Sequence, residues 1–276
     1  MSRALETLAN RYPEVARDLH QDALIAQGDT ESLVASLRSE ITDVMTASGW
    51  YDSWRGIGSP PDLANVERGL RSLLEFSRAD TVIDLCLLLW SYREGPLNNC
   101  QDEGETATAI GECFGIAIEA LPQSMLSPAE QLLWEIDRKL EDDYGAMLAA
   151  PALSGIAHFS HAHWKEVADH LIERLAASRQ PHIRDYSTRS ARTQVLDATL
   201  LALGHAGLFE RVIPLLESEA DACQCYAQLV SMLVEAGRVE DARRWCRDGY
   251  NRTIVHNPAI ATALQQRLRQ MESVSG

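Results

Sequence analysis

Basic charge is scarce in this chain of 276 residues: 25 Lys and Arg stand against 40 Asp and Glu, for a formal net charge of −15. A chain so short of cations has no general affinity for nucleic acid or anionic membranes, because phosphate binding draws on Lys and Arg. Lysine is nearly missing, with only Lys139 and Lys165 beside 23 arginines, a usage typical of GC-rich coding that carries no mechanism. Long apolar runs are missing too, none approaching the ~20 residues of a membrane span. The polar opening MSRALETLANRYPE lacks the basic n-region and apolar h-region of a signal peptide, so a cytoplasmic chain is expected. No stretch of alternating β-branched residues bounded by turns competes with helical spacing, which argues against a sheet. The common enzyme signatures are also missing: there is no Gly-x-x-x-x-Gly-Lys-Ser/Thr, Gly-x-Ser-x-Gly or His-Glu-x-x-His, and Gly56-Ile57-Gly58 lacks the third glycine of a dinucleotide loop. No catalytic residue, cofactor or metal is therefore nominated.

What is present is helical periodicity. Hydrophobic residues make up 46% of the chain, enough for a sizeable core, and they recur at three- and four-residue steps. The spacing predicts helices over 13–27, 30–47, 62–77, 79–94, 103–121, 128–143, 160–178, 187–206, 208–220, 222–236, 238–251 and 256–273. Ser127-Pro128-Ala129-Glu130 carries an N-cap hydroxyl, a first-turn proline and a capping-box glutamate. Residues 200–216 and 230–246 repeat one helix-turn-helix: Leu203 matches Leu233, Ala206 matches Ala236, Gly207 matches Gly237 and Glu210 matches Glu240. Gly207 and Gly237 lie 30 residues apart, the length of one helical pair, and sit where a helix stops in a left-handed residue. A weaker copy spans 73–86, with Ser77 in place of the turn glycine. A pair of short helices cannot bury its apolar stripe alone, so the expected fold is all-α: a TPR-like α-solenoid of stacked antiparallel helix pairs.

The charge is unevenly spread. Residues 1–150 hold 26 acidic side chains against 11 basic, and 151–276 hold 14 against 14. This divides the chain into an acidic N-terminal helical half, 1–150, and C-terminal helical repeats, 151–276, either as two halves or as one continuous array with any boundary within 145–159. An acidic half serves solubility or faces a basic partner. The six cysteines fit reduced thiols, with Cys86 and Cys246 on apolar helix faces.

Four stretches carry a resemblance: Gly49-Trp50, Trp54 and Pro60; Asp102–Thr106 (DEGET); Ala120–Asp137 (ALPQSMLSPAEQLLWEID); and VIPLLESEAD…CYAQLVSMLVEAGRVEDARRWCRDG. Together they resemble the helical region that follows the zinc finger in bacterial SWIM zinc-finger family proteins. The resemblance implies a TPR-type array that binds protein or nucleic acid, with no established reaction. It also implies partners such as MoxR-type AAA ATPases. The finger itself requires Cys-x-Cys followed by Cys-x-His for tetrahedral zinc. Cys223-Gln224-Cys225 is the one Cys-x-Cys here, it falls in a predicted helix, and Cys246 is followed by Arg247 and Asp248, so the finger is absent. Either the chain is a stand-alone helical member or another subunit bears the finger.

Candidate contact residues each have two readings. Trp50, Tyr51 and Trp54 seal a helix pair or anchor a partner. Asp102, Glu103 and Glu105 cap a helix, with Glu105 as capping-box partner, or join Glu112 in an acidic docking spot or hard-cation site. His158, His161 and His163 are polar side chains at a helix start or a poor zinc set. Arg184, Arg189 and Arg192, in the basic segment 174–192, are surface charge or a nucleic-acid contact. The resulting expectation is a non-catalytic scaffold for protein partners, such as an AAA ATPase or a zinc-finger-bearing subunit. A nucleic-acid-associated subunit and a metal-dependent enzyme are the alternatives.

Overall fold

A computed structural model of the chain describes residues 11–47, 52, 55, 58–178 and 186–273. Among these there are 13 α-helices and no strand, and Asp52 pairs with Gln101 in an isolated bridge. No described helix is long and apolar enough to cross a membrane. The chain divides into two compact units, Met1–His158 and Phe159–Gly276.

The first unit opens with α1 (Pro13–Gln27), α2 (Thr30–Met45), α3 (Ala64–Glu75) and α4 (Ala79–Ser91), then a short α5 (Glu94–Asn99), α6 (Glu105–Ala120) and α7 (Pro128–Leu140). Helices α1 to α4 pack in sequence, each on the next, and α1 also packs on α3 and α2 on α4. Leu33, Leu37, Ile41 and Met45 form the buried stripe of α2 at steps of four. The centre is α6, which packs on α3, α4 and α5 and is buried on most of its surface. Here Phe114 lies between Trp90 and Trp134, ring centres 4.9 and 5.7 Å away, while the Trp90 indole N–H donates to Glu141 at 2.8 Å. Gly111 lets the segment 146–149 lie against α6, since a Cβ there would sit 2.2 Å from the carbonyl oxygen of Ala146.

The second unit contains α8 (His161–Ala177), α9 (Tyr186–Ala206), α10 (Val212–Cys223), α11 (Tyr226–Glu235), α12 (Val239–Thr253) and α13 (Pro258–Ser273). Each packs on the next, and α11 also reaches α13.

One turn recurs through both units. Gly28, Ser77, Gly207 and Gly237 all have φ between +58° and +74°. At each, the residue after the left-handed one donates its N–H to the carbonyl five positions back: Asp29 to Leu24 (3.1 Å), Arg78 to Leu73 (2.9 Å), Leu208 to Leu203 (2.9 Å) and Arg238 to Leu233 (2.8 Å). These are Schellman closures, and all four accepting carbonyls belong to buried leucines. The helix ends in the left-handed residue, its orphan carbonyls are satisfied, and the next helix begins within a few residues. The repeat at 207 and 237 and its weaker copy at 77 are thus one backbone motif, and Gly28 adds an instance at α1–α2.

Twelve expected helices are present, with ends shifted by a few residues. Two features differ. Segment 94–99, with Pro96 buried, is a short helix without apolar periodicity in its sequence. The expected helix 222–236 starts only at Tyr226, because Gln224 is left-handed (φ +56°) and breaks the chain between α10 and α11.

Candidate functional site

The aromatic group Trp50, Tyr51 and Trp54 lies outside the described residues, as does Arg184. Asp52 bridges to Gln101, which precedes Asp102 in the chain. Asp102 is a structural cap. Its carboxylate accepts the N–H groups of Gly104 and Thr106, each at 2.9 Å, and the Thr106 hydroxyl. Burial pushes this carboxyl up, but the Thr106 and Gly104 hydrogen bonds outweigh it and hold it below the usual range. Glu105 is the first residue of α6 and forms no capping box; the N–H and hydroxyl that reach back to Asp102 belong to Thr106. Glu103, Glu105 and Glu112 are exposed, and the acids of the first turn complement the helix dipole. No group of three or more metal-binding side chains occurs among the described residues.

The histidines at 158–163 do not converge either. His163 instead closes a capping box at the start of α8: its N–H donates to Ser160 Oγ and its Nδ1 accepts the Ser160 N–H, both at 3.3 Å. Trp164, beneath it, stacks on His205 from the end of α9 with 4.4 Å between ring centres.

Arg192 requires a correction. Expected on the surface as a partner or phosphate contact, it is only 5% exposed. Its Nε donates to Glu219 Oε2 at 2.7 Å and its Nη2 to Oε1 at 3.0 Å, a bidentate pair in which Glu219 is equally buried. Nη2 also donates to the carbonyl of Leu175 at 2.7 Å and Nη1 to Ser178 Oγ at 2.8 Å. One guanidinium therefore ties the end of α8 to α9 and α10, with four of its five N–H groups engaged inside the fold. Arg189 is half-buried on the preceding turn.

The Cys-x-Cys pair also needs correcting. Cys223 ends α10 and Cys225 caps α11, so the pair straddles a turn rather than lying within a helix. Burial, opposed by a hydrogen bond from Thr193, raises the Cys223 thiol to about 11, and burial with the neighbouring Cys223 raises Cys225 to about 12. Both are protonated at neutral pH, whereas zinc binding and nucleophilic attack require thiolates. Cys86 and Cys246 are buried as their apolar positions imply.

One cleft among the described residues was not evident from sequence. It lies between α1 and α2, holds about 340 Å³, and is lined by Ala16, Arg17 and His20 from one helix and Ser36, Ser39, Glu40 and Asp43 from the other. Burial raises the Glu40 carboxyl above its usual range, opposed by a hydrogen bond from Asn65 and the charge of Arg17. Charged residues on two separate helices read as two solvated faces; only the phase set by the Gly28 turn brings them together. A shallower groove on α8, with Lys165, Asp169 and His170, is a solvated polar face. There Asp169 is held low, first by its hydrogen bond from Lys165 and then by Arg211.

No family model, curated protein or solved structure matches this chain. The site is therefore read from its own chemistry: a mixed-charge cleft with an acidic surround, formed by two short helices of one repeated hairpin.

Proposed function

We propose that the chain is a TPR-like helical-repeat scaffold that binds a protein partner through exposed helix faces and carries out no reaction itself. The observation that supports this reading is the recurrence of one Schellman-closed helical hairpin at Gly28, Ser77, Gly207 and Gly237. Helices that pack on their immediate neighbours and on the next helix along fit serial stacking of such hairpins. Repeated hairpins present rows of outward side chains, which suits recognition of another chain. The resemblance to the helical region of SWIM zinc-finger proteins points the same way, and suggests a AAA ATPase or a zinc-finger-bearing subunit as partner.

The test is affinity capture with the tagged full-length chain in extract of its native host. One protein held in near-equimolar amount through moderate salt is the expected result, and its absence would sink the scaffold reading. The nucleic-acid alternative, which rests on the arginines of 174–192, loses Arg192 to its buried pair with Glu219. A gel-shift assay at low salt, where phosphate contacts are strongest, is expected to show no complex with DNA or RNA.

A further inference from the structure

We propose that the outer face of α1, with the α1–α2 cleft beside it, binds a basic amphipathic helix of the partner protein. This rests on the scaffold reading and adds the surface and the chemistry of what covers it. Helix α1 turns Gln21 and Leu24 into the core. On its opposite side Tyr12, Val15, Leu19, Ala23 and Ala26 recur at three- and four-residue steps and are all exposed. The three larger ones are 43%, 46% and 60% exposed. Four turns of apolar side chain, about 20 Å long, match the i, i+3, i+4, i+7 anchors by which one helix receives another. The exposed side of α13 differs in kind: its outward side chains include Thr262, Gln265, Gln266 and Arg269. The outer side of α1 is built to be covered.

Charge selects the occupant. Asp18 and Asp22 flank the stripe on one side, sharing a single Arg68 at 3.9 and 3.5 Å. Glu40 and Asp43 line the far wall of the cleft on the other, and among the described lining residues Arg17 and His20 face them. Residues 1–158 as a whole carry 26 acidic side chains against 11 basic ones. A second copy of this unit or an acidic helix would bring like charge to these edges. A helix with leucine-like anchors and Lys or Arg at its margins meets Asp18 and Asp22 on one edge and Glu40 and Asp43 on the other, and has Arg11, which lies over the Tyr12 ring, Arg17 and His20 as like charges to pass between. Glu40 gains most, being half-buried and held above the usual carboxylate range, because a cation in the cleft supplies a further counter-charge.

The experiment uses the full chain and a fluorescein-labelled synthetic amphipathic helix of Leu and Lys, about 18 residues long, with a Leu/Glu twin as control. Fluorescence anisotropy should show binding of the Leu/Lys helix and none of the twin. Leu19→Asp should weaken it at least about tenfold, the worth of one anchoring leucine. Leu201→Asp, at a leucine of similar exposure (58%) in the other unit, should leave it unchanged. Glu40→Lys with Asp43→Lys should weaken it several-fold, more at low salt than at high. Both leucines are exposed, so the fold should survive, which circular dichroism checks. Equal affinity in Leu19→Asp, or photo-cross-links from the bound helix falling outside residues 12–43, would overturn the proposal. So would a wild-type dimer by light scattering that Leu19→Asp converts to monomer, which would give the face to a second copy. If Leu19→Asp still captures the host partner in full, this face is wrong while the scaffold reading stands; if the wild type captures nothing, the scaffold reading itself fails.

Discussion

Individual side chains show how a charged residue can be structural. Arg192 and Glu219 are both buried and hydrogen-bonded to each other, so removing one leaves the other charged in a low-dielectric site. Arg192→Ala is expected to destabilise the fold by about 3–5 kcal/mol, while Arg192→Leu with Glu219→Leu should recover most of that, because no unpaired charge remains. Urea unfolding of the two variants decides; equal losses would show that the pair is not coupled. Glu40 carries a pH-dependent prediction. Its folded pKa is raised mainly by burial, so its ionisation opposes folding at neutral pH, and the penalty disappears as pH falls below the ordinary value of 4.5. Glu40→Gln should therefore stabilise the chain at pH 7 and lose that advantage near pH 4. A variant stabilised equally at both values would refute the assignment. Neither environment could be read from sequence: Arg192 sits among arginines that read as surface, and nothing near it in sequence names Glu219.

The helical elements were far more legible, because apolar periodicity marks them and several carry their own punctuation. The Ser127–Glu130 capping box forms as its spacing implies, with Ser127 N–H donating to Glu130 Oε2 at 2.7 Å. The Ser160 box uses His163 where a Glu or Gln is usual, so the pattern gave no sign of it. Glycine announced the turns at 207 and 237, whereas Gln224 concealed the break between α10 and α11 by taking a left-handed conformation that its side chain does not advertise. The same strain makes a test of the recurring turn. A non-glycine residue at positive φ costs about 1 kcal/mol or more. Ser77→Gly should therefore raise stability by roughly 0.5–1 kcal/mol, and Gly237→Val should lower it by about 1 kcal/mol or more. A Cβ at Gly237 meets no atom within 4 Å, so its cost is backbone strain alone. Gln224→Gly should gain less than Ser77→Gly, because Gln224 Oε1 accepts a hydrogen bond from Asn257 Nδ2 at 3.0 Å that glycine gives up. Thermal melts of the three variants would expose a wrong turn assignment as a reversed order of Ser77→Gly and Gly237→Val.

At the scale of the molecule, charge distinguishes the two units more sharply than fold does. Residues 1–158 hold 26 acidic groups against 11 basic, while 159–276 hold 14 of each, although both are built from the same kind of hairpin. Packing alone does not account for that difference. In isolation the acidic unit pays self-repulsion that rises with net charge, and screening relieves it once the Debye length falls to about 3 Å near 1 M salt. Sodium chloride should therefore raise the melting temperature of a 1–158 fragment by several degrees, while a 159–276 fragment responds little. A basic partner helix would relieve the same repulsion without salt, so binding of the Leu/Lys helix should stabilise 1–158 most at low ionic strength and progressively less as salt takes over its part. If the acidic fragment melts at one temperature whatever the salt, its carboxylates are already balanced within the fold, and the case for a cationic partner loses its electrostatic basis.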